Sequence, residues 1–155
     1  MAEFTLLLGA DRGNPMDTFA EATALIQARV GPVRCSSRDH WTEPWGFRDD
    51  HLFLNRALLV ESDLEPGEVM LRLLQIEREL GRERPAKGGY APRTIDIDVL
   101  FVGDRTIQEP GLTVPHPRVH ERAFALAPAA DIVPGLVHPT LNTTVLALLD
   151  RVQAE

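Results

Sequence analysis

The chain has 155 residues, 44% hydrophobic and 25% charged, which fits one ordinary soluble domain with its own core, so we expect a single domain over 1–155. The net charge of -7 argues against nucleic acid or an anionic membrane as a partner, although a local arginine cluster could still bind a small anion. Cys35 is the only cysteine, which excludes an internal disulfide and a cysteine zinc site and suits a reducing cytoplasm. No apolar run approaches the roughly 18 residues of a membrane-spanning helix.

The first half of the chain alternates strand and helix patterns. A short apolar run over 4–8 predicts a strand, and Asn14 is placed to cap a helix over 15–30 that begins with a proline. Alternating apolar and polar residues then predict two strands, over 33–41 and 52–61. These four elements give the order strand, helix, strand, strand.

A second helix and a fourth strand complete the core. The helix opens at Pro66 and is expected to end at Gly81, and a loop leads to a strand over 95–101. The order β-α-β-β-α-β predicts an α+β, ferredoxin-like core, an antiparallel sheet with both helices on one face. The other face is left for a ligand or for C-terminal helical elements, expected near 121–130 and after a cap at Asn142.

Two aspartates lie inside the fourth strand. Asp96 and Asp98 alternate with β-branched residues, so both carboxylates share one face of the strand, about 7 Å apart. Two like charges repel each other and are costly to desolvate, which a bridging divalent cation would offset. Hard oxygen ligands favour Mg²⁺, which usually binds with substrate phosphates. The alternative is an edge strand whose acidic side faces water.

A charged segment precedes these aspartates. Glu77, Arg82, Arg84 and Arg93 bracket the loop over 82–92, and a folded loop would bring three guanidinium groups over a metal held by the aspartates. Guanidinium groups with Mg²⁺ favour phosphoryl transfer, because catalysis there is mostly positioning and charge stabilisation. The glycine-rich nucleotide motifs are absent from the sequence, so the arginines would have to bind the phosphates. A solvated charged surface is the alternative reading.

Aromatic and amide side chains indicate a site for a flat heterocycle. Phe53 and Asn55 share one face of the third strand, which pairs an aromatic ring with an amide that both donates and accepts. His116, between two prolines, is followed by Arg122 and Phe124, which add another guanidinium and a second ring. The alternatives are a core aromatic beside a turn-stabilising asparagine, and a histidine that only fixes its own loop.

Five segments in order resemble the 6-hydroxymethyl-7,8-dihydropterin pyrophosphokinase family. The resemblance spans nearly the whole chain, and the set is far more specific than any one segment. The segments are Thr42 with Pro44 and Gly46, Phe53-Leu54-Asn55, Ile76-Glu77 with Gly81, Arg82 and Arg84, the run from Pro92 to Asp98, and Pro115-His116-Pro117 with Arg122 and Phe124.

The resemblance implies an enzyme that moves a diphosphate from ATP to a pterin alcohol and releases AMP. It implies that Asp96 and Asp98 bind two Mg²⁺ ions and that Arg82 and Arg93 engage the transferred phosphates. We expect a cytoplasmic monomer whose partners are ATP and the pterin alcohol. The further contacts implied are those of Glu77, Arg84, His116 and Arg122 with ATP, and those of Thr42, Phe53, Asn55, Phe124 and the lid residue Tyr90 with the pterin.

Two other classes of protein stay open. The family's first strand is usually followed by an asparagine where this chain has Asp11, and Tyr90-Ala91 replaces the usual Trp-Gly. These differences favour a non-catalytic pterin- or nucleotide-binding paralogue as one alternative. A small regulatory or interaction module that merely uses a ferredoxin-like fold is the other. The intact arginines and aspartates favour the enzyme, since a binder would not need two metals.

Overall fold

The protein is described by a computed structural model over residues 1–11, 14–42, 53–82 and 95–154, except for the side chain of Arg82. Within these ranges it has an α+β fold built around one antiparallel sheet, and none of the helices is long and apolar enough to cross a membrane. A 3-10 helix spans Val119–Glu121. The other elements are β1 (Ala2–Ala10), α1 (Pro15–Arg29), β2 (Val33–Ser36), β3 (His40–Thr42), β4 (Phe53–Ser62), α2 (Pro66–Arg82), β5 (Asp96–Val102), β6 (Ile107–Glu109), β7 (Leu112–Val114), α3 (Ala123–Ile132), β8 (Val137–His138), β9 (Thr143–Thr144) and α4 (Val145–Gln153).

β1 lies inside the main sheet, between β4 and β5. The strand order is β2-β4-β1-β5, β3 also pairs with β4, and every pairing is antiparallel. All residues of β1 from Phe4 to Ala10 are buried, because other elements cover both faces of the strand. This burial explains why the sequence of β1 is a nearly continuous apolar run.

The two faces of the sheet carry separate cores. Phe4, Leu6 and Leu8 of β1 pack with the apolar residues of α1 and α2. Leu7 and Phe101 point to the opposite face and pack with α3 and α4. The predicted placement of the first two helices on one face is therefore observed, and the C-terminal helices pack on the other face.

The prediction of one strand over 33–41 is wrong, because this segment is divided into β2 and β3. At the break, Ser37 donates its N–H to the carbonyl of Ala57 at 2.9 Å, and its Oγ accepts the N–H of Ala57 at 2.8 Å. The serine hydroxyl thus replaces a backbone carbonyl in the ladder, and the chain leaves the sheet until His40. The strand predicted over 52–61 is observed as β4, which ends one residue later.

The helix starts were predicted more accurately than the helix ends. α1 begins at Pro15, and Asn14 caps it by accepting the N–H of Asp17 at 3.4 Å. The prediction that α2 ends at Gly81 is wrong, since the helix continues to Arg82. Gly81 does not adopt the positive φ of a terminating glycine, so it behaves as an ordinary helical residue.

The C-terminal region contains two hairpins that were not predicted, β6–β7 and β8–β9. Strands of two or three residues are too short to leave a recognisable periodicity. The helix predicted near 121–130 is α3, but the cap predicted at Asn142 is wrong. Thr144 caps α4 by accepting the N–H of Ala147 at 3.1 Å, while Asn142 has φ 53° in the turn before β9.

Candidate active site

Four strands meet at one row of residues across the sheet. His40 on β3 is paired with Asn55 on β4, Asn55 with Gly9 on β1, and Gly9 with Asp96 on β5. Directly paired residues of antiparallel strands point to the same face, here the face opposite α1 and α2. The register therefore brings the predicted heterocycle site and the predicted metal site together, one strand apart. Thr42 lies on the same edge, paired with Phe53.

Gly9 lies in this row between Asn55 and Asp96, where the missing side chain leaves space over the backbone. A β-carbon added to Gly9 would lie 2.8 Å from Cε1 of Phe53 and 3.2 Å from Oδ1 of Asn55. The Phe53 ring and the Asn55 amide thus both lie against the backbone of Gly9, in space that only glycine leaves open. The strand predicted over 4–8 stops short of Gly9 and gives it no role, although a glycine inside an apolar strand is a signal of close approach.

Asn55 has an unsatisfied polar atom. The residue is 1% exposed, and its buried Nδ2 has no hydrogen-bond partner in the described part of the chain. An amide left in that state costs about 1 to 3 kcal/mol, so a bound group that accepts a hydrogen bond would be stabilised here. This is the behaviour expected of the substrate-binding residue that the resemblance implies.

Glu77 supports the strand that carries the aspartates. Its side chain reaches from α2, is 8% exposed, and Oε2 accepts the backbone N–H of Ile97 at 2.5 Å. Ile97 lies between Asp96 and Asp98, so this bond fixes the strand at the point where both carboxylates emerge. The geometry makes Glu77 a support for the two aspartates, and its predicted contact with ATP stays a prediction.

His116 lies beside Asp98. Its Nδ1 accepts the N–H of Arg118 at 3.2 Å, so the proton of the neutral ring is on Nε2, which can donate to an anion. Burial lowers the pKa of His116 below its ordinary value, the Asp98 carboxylate opposes this shift, and the guanidinium groups of Arg122 and Arg118 add to it. The histidine is thus held neutral within reach of the charge of Asp98 and Arg122.

Two cavities flank the His116-Pro117 segment. The larger, about 620 Å³, is lined by Asp98, His116 and Met70 and by both strands of the β6–β7 hairpin. The smaller, about 370 Å³, lies against His120 and His138. Asp98 thus lies in the wall of the larger cavity. The role of the hairpin as a wall of this cavity was not predicted, since neither of its short strands was.

His138 is already engaged by backbone groups. Its Nδ1 accepts the N–H groups of Thr140 and Leu141, at 3.3 and 3.2 Å. In the described residues no group of three histidine, cysteine or acidic side chains is placed to hold a metal ion. Within the described part of the chain, the histidines around the smaller cavity therefore belong to no such group.

Arg122 and Phe124 lie together where α3 begins. The guanidinium carbon of Arg122 is 5.5 Å from the centroid of the Phe124 ring, and Phe124 is 40% exposed. α3 packs against β4, β1 and β3, which puts Phe124 on the same side of the sheet as Phe53. The two predicted rings therefore lie on the same face of the sheet, Phe53 on strand β4 and Phe124 on helix α3.

Part of the predicted site lies outside the described residues. Arg84, Tyr90 and Arg93 are in this group, together with the side chain of Arg82. Their predicted roles toward the phosphates and the pterin stay predictions.

Comparison with known proteins identifies the family. The sequence model of 7,8-dihydro-6-hydroxymethylpterin-pyrophosphokinase (HPPK) matches residues 5–134. The 2-amino-4-hydroxy-6-hydroxymethyldihydropteridine pyrophosphokinase of Porphyromonas gingivalis is 39% identical over 145 residues, covering 92% of this chain and 98% of the relative. The Bacillus subtilis protein of the same name is 40% identical over 129 residues, covering 82% of this chain and 75% of the relative.

A solved structure shares the fold. Wild-type HPPK-DHPS of Plasmodium falciparum superposes with a TM-score of 0.78 at 16% identity, over 97% of this chain and 44% of that one. At this identity the likeness concerns the fold alone, and it agrees with the sheet and helices described above. With the sequence matches, it leads to one conclusion: the chain belongs to the 7,8-dihydro-6-hydroxymethylpterin-pyrophosphokinase family.

Proposed function

We propose that this protein transfers a diphosphate from ATP to 6-hydroxymethyl-7,8-dihydropterin, giving AMP and the pterin diphosphate, a step of folate biosynthesis. The family supplies the reaction, and one observation in the chain carries it. The unsatisfied amide of Asn55 and the ring of Phe53 lie over Gly9, and Gly9 is paired directly with Asp96. A pterin bound by Asn55 and Phe53 has its hydroxymethyl group beside Asp96 and Asp98.

The proposed contacts with the pterin are stacking on both faces of its ring and hydrogen bonding along its edge. Phe53 and Phe124 stack on its two faces, Asn55 donates its free Nδ2–H to an acceptor on the heterocycle, and Thr42 contacts it from the paired strand. The support for this arrangement is the placement of all four residues on one face of the sheet. Tyr90 closes over the substrate in the same proposal.

Asp96 and Asp98 would hold the Mg²⁺ ions that accompany ATP. Two carboxylates from alternate positions of β5, which belong to no group of three metal-ligating side chains within the described ranges, suit Mg²⁺. This ion usually binds through one or two carboxylates, several waters and the substrate phosphates. When bound, it supplies charge neutralisation at the phosphate oxygens.

The side chains around the phosphates act by position and charge. Neutral His116 donates its Nε2–H to a phosphate oxygen, and Arg82 and Arg93 neutralise the diphosphate as it moves. The pterin hydroxyl attacks the β-phosphorus in line, and AMP leaves. Glu77, Arg84 and Arg122 contact ATP, which occupies the larger cavity beside Asp98. No side chain of the set is an obvious general base.

The remaining expectations form part of the same proposal. If β2 and β3 are treated as one interrupted edge strand, the order of the core is that of a ferredoxin-like fold. We propose that the chain acts as a single domain and a monomer in the cytoplasm.

The test of function is the identity of the nucleotide product. Purified protein is incubated with ATP, Mg²⁺ and the pterin alcohol, and the nucleotides are separated by chromatography. We expect AMP to form in equal amount to the pterin diphosphate, and no AMP when the pterin is omitted. ADP as the product would refute diphosphate transfer, and pterin binding without any AMP would identify the non-catalytic paralogue instead.

A further inference from the structure

Asp131, in the last turn of α3, binds His40 of the edge strand β3 and Arg38, two residues before that strand. Its Oδ2 accepts Nε2 of His40 at 2.8 Å and the backbone N–H and Nε of Arg38 at 3.2 and 3.3 Å, and its Oδ1 accepts Nη2 of Arg38 at 3.2 Å. The Asp131 and His40 side chains are 18% and 20% exposed, whereas that of Arg38 is 81% exposed. His40 is therefore the better shielded partner.

The position of Asp131 in α3 does not by itself stabilise an ionised carboxylate. A carboxylate in the last turn lies at the negative end of the helix dipole, where it is unfavourable. Burial also opposes ionisation of Asp131, but the bonds from Arg38 and His40 outweigh it and hold the pKa below its ordinary value. The ionised side chain is thus stabilised by the edge strand and not by α3.

The two elements joined by Asp131 are held very differently. α3 has ten residues, about 15 Å of helix, and buries Ala125, Leu126 and Ala129 in the core on this face of the sheet. β3 has three residues and pairs only with β4 among the described strands. When the contact is lost, β3 is the element that can move, because α3 keeps its apolar packing.

β3 carries one wall of the proposed pterin site. Its first residue, His40, is paired with Asn55, and its last, Thr42, is paired with Phe53. Two other contacts hold the segment before it: Ser37 bonds to Ala57, and Asp39 pairs with Arg56 at 2.7 Å. The side chain of Asp131 bonds to β3 itself, and it comes from the helix that carries Phe124 at its other end.

We propose that Asp131 is a positioning residue for the pterin. Through His40 it fixes β3, and with it Thr42, at the distance from α3 that the heterocycle requires. The inference rests on the proposed function, and it assigns substrate affinity to a side chain that does not touch the substrate. The cavity proposed for ATP is lined by Asp98 of β5, on the other side of β1 from β4, so we expect ATP affinity not to depend on this contact.

The test separates pterin affinity from ATP affinity. In Asp131→Asn, we expect the Kd of the pterin, measured by calorimetry with a nonhydrolysable ATP analogue and Mg²⁺, to rise about tenfold. The Kd of the analogue alone and kcat at saturating substrates should stay within about twofold. His40→Gln keeps an Nε2–H donor and should retain the pterin affinity, while His40→Leu should lose it to the same degree as Asp131→Asn.

The control is Glu61→Gln, which weakens the pair of Glu61 with Arg34 at 3.0 Å on a distant part of β4. It should leave both affinities unchanged. Equal losses for pterin and analogue in Asp131→Asn, or an unchanged pterin Kd in both Asp131→Asn and His40→Leu, would overturn the inference. Should Asp131→Asn fail to fold, the two His40 variants decide. Failure of the proposed function has a different signature, because the wild type itself would then release no AMP.

Discussion

At the scale of the residue, Asn55 and its neighbours define the substrate. The free protein holds a buried amide nitrogen without a partner among the described residues, next to a ring that lies over glycine. Alternation along one strand predicted that Phe53 and Asn55 share a face, and likewise Asp96 and Asp98. The sequence did not predict the burial of the amide or the role of Gly9, because both depend on which strands pair and in what register.

Replacing Asn55 should affect binding more than folding. In Asn55→Ala we expect pterin affinity to fall by about 1 to 3 kcal/mol, since a hydrogen bond to the heterocycle is lost. The free energy of unfolding should change by less than about 1 kcal/mol, because the same substitution removes an unsatisfied polar atom. Calorimetry and urea denaturation measure the two quantities. Equal losses of affinity for the pterin and for an ATP analogue would refute the assignment.

At the scale of the element, local signals located elements better than their ends. Asn14 and Pro15 fixed the start of α1, whereas the break at Ser37 arises from a side-chain bond to the neighbouring strand that periodicity does not reveal. The helix continues through Gly81 because this glycine keeps a helical backbone and does not adopt the positive φ of a terminating residue. Of the site, the strand alternation was predictable, and the β6–β7 wall of the larger cavity was not.

The central strand gives a prediction of its own. In Gly9→Ala the new methyl group would lie 2.8 Å from the Phe53 ring, so the ring must shift out of its stacking position. We expect a loss of pterin affinity of about tenfold, comparable with the loss of one stacking interaction. Gly81→Ala is the matched control, since none of the described residues lies within 4 Å of its added β-carbon. A similar loss of pterin affinity in both variants would contradict the account of Gly9.

At the scale of the whole molecule, the C-terminal region links folding to pH. Burial, and then the nearby His120, lowers the pKa of His138 below its ordinary value. The folded state therefore favours the neutral ring, and its stability is fully present above the unfolded pKa of about 6.5 and is lost as the pH falls below it. Protonation would also place a proton on Nδ1, which accepts two backbone N–H groups.

We expect the free energy of unfolding of the wild type to decrease from pH 7.5 to pH 5.5, measured by urea denaturation. His138→Asn keeps an acceptor near the Nδ1 position and cannot be protonated, so it should show a smaller decrease over the same range. Carboxylates such as Asp131, whose pKa is lowered, stay ionised in this window and do not contribute. If His138→Asn shows the same decrease in the free energy of unfolding as the wild type, His138 is not the source of the pH dependence.

The central claim is diphosphate transfer at Asp96 and Asp98, and the most direct measurement is the rate of AMP release with ATP, pterin alcohol and saturating Mg²⁺. Asp96→Ala and Asp98→Ala should each lose nearly all of it while staying folded, because each removes a carboxylate from the metal site and also relieves like-charge repulsion. Asp104→Ala, in the exposed turn after β5, is the control and should retain the wild-type rate. If either aspartate variant keeps even about a tenth of wild-type turnover, the assignment of the metal site is contradicted.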